Sequence, residues 1–253
     1  MPTAKGTHQK EKEPEETQAP VHPQQIVARD ALEQKRFGFV LLHHRWAMFD
    51  QIAGNKDLDG LIIYYLKNAA ICSAVYGATL GFYALNLQVA LAAIKLPLLL
   101  LSTMGVCLPS LYLFNVLLRS RLTFKQTAAV MSMATYLMST VLVSLAPIMF
   151  FFAISTINKE FILLMNVAFC ATAGMFALLM AWSGMRYLSL ASENSPRAMV
   201  FSLWTLIYMF TGTQLSWMLR PFIGVPGEVA LLRPMEGNFY EAVYKTFMHF
   251  VLG

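Results

Sequence analysis

Of the 253 residues, 57% are hydrophobic and only 13% charged, and the mean hydropathy is +0.53. Soluble domains carry roughly 25% charged residues, so this chain lacks the charge to coat a water-solvated globule and reads as an integral membrane protein. The formal charge of +5 does not point to nucleic acid. The basic residues lie in tails and loops, where they set orientation in a membrane, and no basic-aromatic stripe marks a nucleic-acid groove.

Residues 1–25, "MPTAKGTHQKEKEPEETQAPVHPQQ", carry four prolines and no apolar periodicity. They cannot bury enough surface to offset the entropy of ordering, and read as a disordered tail. Residues 26–60 form a second segment. In it Phe37, Val40, Leu41, Met48 and Ile52 recur at helical spacing, with Arg36, His44 and Arg45 between them. This predicts a cytoplasmic amphipathic helix lying on the membrane or on a partner. His43 and His44 are adjacent, so on a helix they point about 100° apart and do not converge on a metal. "NKDLDG" at 55–60 breaks the helix, with Asp59 as a cap for the next one.

Residues 61–219 are expected to form a transmembrane bundle of five helices, because a hydrocarbon core of about 30 Å needs about 20 apolar residues. The expected spans are 68–85, 91–118, 126–152, 161–185 and 199–219. The first two are joined by the short "NLQVA", which predicts a tight antiparallel hairpin. Arg29, Lys35, Arg36, Arg45, Lys56 and Lys67 precede the first span. Arg119, Arg121 and Lys125 follow the second, and Arg186 and Arg197 follow the fourth. This bias predicts a cytoplasmic N-terminus and, after an odd number of crossings, an outer C-terminus. The first apolar run begins too late for a signal peptide, so an internal span is expected to direct insertion. Trp217 and Arg220 close the last span, and Pro221 and Pro226-Gly227 turn the chain. Residues 220–253 are then an outer-face cap ending in a short amphipathic helix with Phe239, Val243, Phe247 and Phe250 along one face.

Chemistry is sparse. No nucleophile-base pair, zinc pattern or phosphate loop occurs, and no catalytic residue, cofactor or metal is expected. Cys72, Cys107 and Cys170 lie in apolar runs and read as small hydrophobes. The expected spans contain no ionisable residue except Lys95, which is placed to snorkel outward. Asn115, Asn166, Thr211 and Gln214 have the ordinary role of helix–helix hydrogen bonds, worth roughly 1 kcal/mol each. Pro109 and Pro147 should kink their helices. Gly77 and Gly81 form a GxxxG suited to close packing. The densest polar cluster is Arg220, Arg233, Glu236, Asn238 and Glu241, read either as a docking or anion-binding surface or as a salt-bridged cap.

The strings "KLPLLLLSTMGVCLPSLYLFNVLL", "GTQLSWMLRPFIGVPG" and "LLRPMEGNFYEAV" resemble a family of bacterial multispan membrane proteins across about residues 60–250. Some of its members are labelled actin-binding WH2-domain proteins, a label no residue here supports. The plan of five spans behind a long N-terminal segment is also similar to that of the eukaryotic Yip family. The resemblance implies a bacterial inner-membrane location and supplies no catalytic residue. The expected function is that of a non-enzymatic membrane adaptor or scaffold, with the lipid bilayer and a protein partner or second copy as its partners. The alternative is a transporter or channel for a small or lipidic solute, with a polar cavity near Pro109, Asn115 and Pro147.

Overall fold

A computed structural model describes residues 45–55, 57–83, 87–117, 122–156, 158–190, 198–219 and 239–252. The chain divides at Arg36/Phe37, and everything described belongs to the second unit. Phe37, Val40, Leu41 and the His43-His44 pair lie outside the described residues, as does the segment 220–238.

The described residues form seven α-helices and no strand. They are α1 (Arg45–Ala53), α2 (Leu58–Gly81), α3 (Gln88–Leu117), α4 (Phe124–Ser155), α5 (Lys159–Leu190), α6 (Ala198–Met218) and α7 (Phe239–Leu252). Helices satisfy every backbone group within one segment, which is the requirement in hydrocarbon. Four of them, α2 to α5, are long and apolar enough to cross a membrane. In α6 the run of Thr211, Thr213, Gln214 and Ser216 dilutes an otherwise apolar helix of 21 residues.

The first long helix starts ten residues before the expected span. Leu58, Leu61 and Tyr65 continue its buried face, while Lys67 simply points outward and does not end it. Its cap is Asp57, not Asp59. Asp57 sits in the left-handed region (φ 47°), as does Asn55 (φ 53°), and its carboxylate accepts from the Gly60 amide at 3.3 Å. Asp59 instead reaches Lys125 at 2.6 Å.

The centre of the bundle is α4. Every residue from Gln126 to Leu137 is buried, so the first half of this helix is enclosed on all faces by its neighbours. Its hydroxyls do not need outside partners. Thr127, Ser132, Thr135 and Ser139 each donate back to a carbonyl one turn earlier, at 3.2, 2.9, 2.9 and 3.0 Å. The helix begins with a capping box. Thr123 accepts from the Gln126 amide at 3.3 Å, and its own amide donates to Gln126 Oε1 at 3.0 Å.

Gln126 has a second task. Its Nε2 donates to the carbonyl of Ile52 at 3.3 Å, at the end of α1. Met48, Phe49 and Ile52 of α1 are buried among α2, α4 and α5. The Tyr65 hydroxyl donates to Met48 Sδ at 3.1 Å, and the Tyr187 hydroxyl donates to Asp50. The apolar face predicted for an outside surface is therefore used, in its described part, against the chain's own bundle.

At the far end of the chain, α7 touches α5 and α6. Phe239 and Val243 are half-buried there, and the Tyr240 hydroxyl lies 3.2 Å from Thr213 Oγ1 of α6. Tyr240, Tyr244 and Phe247 remain exposed.

The hairpin between α2 and α3 is as tight as its connector implied. A Cβ built on Gly77 would lie 2.4 Å from the Ala92 carbonyl oxygen, and one on Gly81 would lie 2.5 Å from Val89 Cα. The GxxxG pair thus brings two backbones of one chain together.

Candidate functional site

The polar and kink positions picked out within the spans do not form one site. Pro109 lies inside α3, eight residues before its end, and Pro147 lies inside α4, 23 residues after its start. The two helices run antiparallel, with Tyr112 against Phe124 at 5.3 Å between ring centroids where they meet. At 1.5 Å per residue, Pro109 is about 12 Å and Pro147 about 35 Å from that end. One cavity bordered by both prolines, as the transporter alternative expects, does not fit a separation of about 20 Å.

The space beside Pro109 is occupied. Met104, Cys107 and Leu111 of α3, Met131 and Ala134 of α4, and Ala177 and Ala181 of α5 pack with Trp204 of α6. Trp204 is fully buried. Its indole N–H donates to the Cys107 carbonyl at 3.3 Å and to Ser110 Oγ at 3.2 Å. Four helices therefore meet on one side chain whose only polar atom is satisfied by the turn around Pro109. Trp204 was not a candidate from sequence, because a tryptophan within an apolar run carries no periodic or motif signal.

Asn166 has the ordinary role expected of it. Tyr76 of α2 donates to Asn166 Oδ1 of α5 at 3.0 Å, and the Cys170 thiol lies 3.8 Å from the same oxygen. The Tyr76–Asn166 contact should show a coupling of about 0.6–1.7 kcal/mol in a double-mutant cycle with Tyr76→Phe and Asn166→Leu. Chemical unfolding in detergent measures it.

Asn115 differs. It is 3% exposed, in the last turn of α3, and its Nδ2 has no hydrogen-bond partner among the described residues. An amide N–H buried without a partner costs about 1–3 kcal/mol. Asn115→Leu, which removes the polar group at similar volume, is therefore expected to raise the unfolding midpoint in detergent. A fall in the midpoint would mean that the amide is satisfied in the native protein.

Gln214 is half-buried on α6. Lys95, expected to snorkel, is buried on the bundle-facing side of α3, one position before Leu96 of the core. Helical phase, which places residue 95 between the buried positions 92 and 99, overrides its reach toward water. Of the surface cluster, Arg220, Arg233, Glu236 and Asn238 lie outside the described residues. Glu241 lies on α7 and pairs with Lys245 at 2.6 Å.

One feature was not foreseen. A cleft of about 480 Å³ opens beside the α1–α2 turn, lined by Asn55, Asp57, Leu58, Asp59, Thr123 and Lys125. The "NKDLDG" break supplies one wall, but on the other wall Lys125 is 66 residues away from Asp59 and has no sequence signature. Its ion pair is exposed on both sides and is worth about 1 kcal/mol or less. Among the described residues no three His, Cys, Asp or Glu side chains are grouped to hold a metal ion, and all three cysteines are free thiols.

Taken together, four apolar helices of crossing length, with the first half of α4 enclosed by its neighbours, fit an all-α integral membrane protein. Comparison of the chain with protein families, with curated proteins and with solved structures returns no match.

Proposed function

We propose that this protein is a non-enzymatic membrane adaptor or scaffold. In this reading α2 to α6 cross the bilayer five times, the N-terminus faces the cytoplasm, and the C-terminus lies outside. The basic residues Lys125 and Arg186 at the α1 end support the orientation. The resemblance to bacterial multispan proteins supports an inner-membrane location. The bundle anchors, and the segments before α1 and after α6 recruit a protein partner or a second copy.

The observation that carries this reading is the enclosure of α4. A half-helix buried on every face, Gln126–Leu137, with the hydroxyls of Thr127, Ser132 and Thr135 returned to its own backbone, makes this part of the bundle interior a packed core. The docking of α1 adds to it. Gln126, Tyr187 and the buried Phe49 fix the point from which the N-terminal segment departs. Cross-linking of the full chain in whole cells, followed by purification in mild detergent, tests the reading. A partner or second copy recovered in fixed ratio, and lost when residues 1–36 are removed, is expected. A lone monomer recovered under all conditions would count against it.

A transporter or channel for a small or lipidic solute is the second reading, favoured by one observation, the buried amide of Asn115 that has no partner among the described residues. It predicts solute flux in proteoliposomes that Asn115→Leu abolishes. The adaptor reading predicts no flux with either protein.

A further inference from the structure

We propose that α7 is seated in the lipid interface at the end of the bundle opposite α1, with Tyr240, Tyr244 and Phe247 turned into the leaflet. At about 100° per residue, the helix presents three sectors. Phe239, Val243 and Thr246 share one, and all three are half-buried, as the side that meets α5 and α6 must be. Tyr240, Tyr244 and Phe247 lie within about 60° of one another on the next sector. They are 52, 63 and 50% exposed, so the chain itself leaves this aromatic stripe uncovered. Glu241 and Lys245 hold the third sector, exposed and paired at 2.6 Å.

The depth at which α7 is tied identifies what covers the stripe. The Tyr240 hydroxyl lies 3.2 Å from Thr213 Oγ1. The Thr213 hydroxyl already donates to the Phe210 carbonyl at 2.8 Å, so Tyr240 is the donor in this contact. Thr213 precedes Met218, the last residue of α6, by five residues, about 7.5 Å at 1.5 Å per residue. The 21 residues of α6 span about 31 Å, matched to a hydrocarbon core of about 30 Å. With α6 crossing as proposed above, its end stands at the headgroup boundary and the tie lies about 7.5 Å beneath it. Helices that lie in a bilayer interface bury their apolar face about 5–10 Å into that boundary.

The neighbouring surface agrees. Met209 and Phe210, about one turn deeper on α6, are exposed and face acyl chains in the same reading. The stripe on α7 continues that surface toward the headgroups, so a soluble partner would first have to displace lipid from it. Tyrosine suits the position, with an apolar ring and a hydroxyl that needs a polar partner. Glu241 and Lys245 together carry no net charge, so the seat depends on apolar burial rather than on lipid charge. The inference rests on the crossing of α6 and stands whether or not the protein is an adaptor.

The test is electron paramagnetic resonance of the full-length protein in liposomes of phosphatidylcholine and phosphatidylglycerol in equal parts. Cys72, Cys107 and Cys170 are replaced, and one spin label at a time is placed at position 210, 241, 244, 245 or 247. Collision with oxygen, which concentrates in hydrocarbon, is compared with collision with a water-soluble nickel chelate. Labels at 244 and 247 should give an oxygen-to-nickel ratio at least about fivefold above labels at 241 and 245, and the label at 210 should give the highest. Equal ratios at the four α7 positions beside a high ratio at 210 would overturn the seat and leave the crossing intact. A low ratio at 210 would overturn the crossing and the seat with it. Labels at 244 and 247 shielded from both reagents would place protein on the stripe and also overturn the seat. Spin–spin broadening that fades on dilution into unlabelled protein would then identify a second copy as that cover. If the cysteine-free chain fails to fold, a lipid-borne diazirine on the unmodified protein decides. It should attach to Tyr244 and Phe247, and attachment to Phe210 without either would overturn the proposal.

Discussion

Gly77→Ala and Gly81→Ala should each destabilise the protein by about 1–3 kcal/mol, and the leucine variants should prevent the α2–α3 hairpin from closing. The reason is what the added carbon meets. At both positions the obstruction is backbone of α3, at 2.4 Å for the Ala92 oxygen and 2.5 Å for Val89 Cα. Backbone cannot step aside as the end of a flexible side chain can, so relief requires the two helices to separate. Their separation would uncover Tyr76, Leu80, Leu96, Leu99 and Leu100, which pack together behind the contact. Gly105 and Gly174 supply the control. Both are helical, and a Cβ at either meets nothing within 4 Å. Alanine there should be neutral or stabilise by up to about 1 kcal/mol, through helix propensity. Thermal or chemical unfolding in a single detergent measures all four. Equal effects at the two pairs of sites would mean that the hairpin is not packed as described.

Trp204→Ala should be the most damaging single truncation outside the hairpin, at about 3–5 kcal/mol. It empties the point where α3, α4, α5 and α6 meet. It also removes the donor for the Cys107 carbonyl and Ser110. Trp204→Phe separates the two contributions. It keeps most of the ring and loses the N–H, so it should cost about 1–2 kcal/mol, chiefly the hydrogen bond and part of the ring volume. In the alanine variant α6 should detach before the rest of the bundle unfolds, because Trp204 is the fully buried residue through which it is held. Faster labelling of Cys107 by a thiol reagent would report that detachment. An alanine variant as stable as wild type would place α6 away from α3.

Helix content and the four long apolar spans were legible because lipid imposes a simple rule, a length of about 20 apolar residues, which composition alone reveals. The start of α2 was not, because Lys67 suggested a boundary. A single lysine on an outward face interrupts hydropathy without interrupting a helix. The Gly77/Gly81 motif was legible as a close-packing surface, but its partner, Ala92 and Val89 of the next helix, followed only from the short connector. Asn166 was legible as a cross-helix hydrogen-bonding group, although its partner Tyr76, 90 residues earlier, was not. The sequence pointed to Asp59 as the cap, and only the left-handed backbone at Asn55 and Asp57 makes Asp57 the cap instead. The sequence Thr-Phe-Lys-Gln at 123–126 is a capping box that can be read directly. The bond from Gln126 across to α1 cannot, since it is set by tertiary approach.

Single-cysteine labelling in intact cells tests the central claim most directly, after replacement of Cys72, Cys107 and Cys170. Reporter cysteines at Asn55, Asn158 and Ser192 and at the C-terminal Gly253 would be exposed to a membrane-impermeant maleimide. Five crossings predict that Asn158 and Gly253 react from outside while Asn55 and Ser192 do not. Reaction of Gly253 from the same side as Asn55 would contradict the crossing of α6, and reaction of all four from one side would contradict the membrane bundle itself.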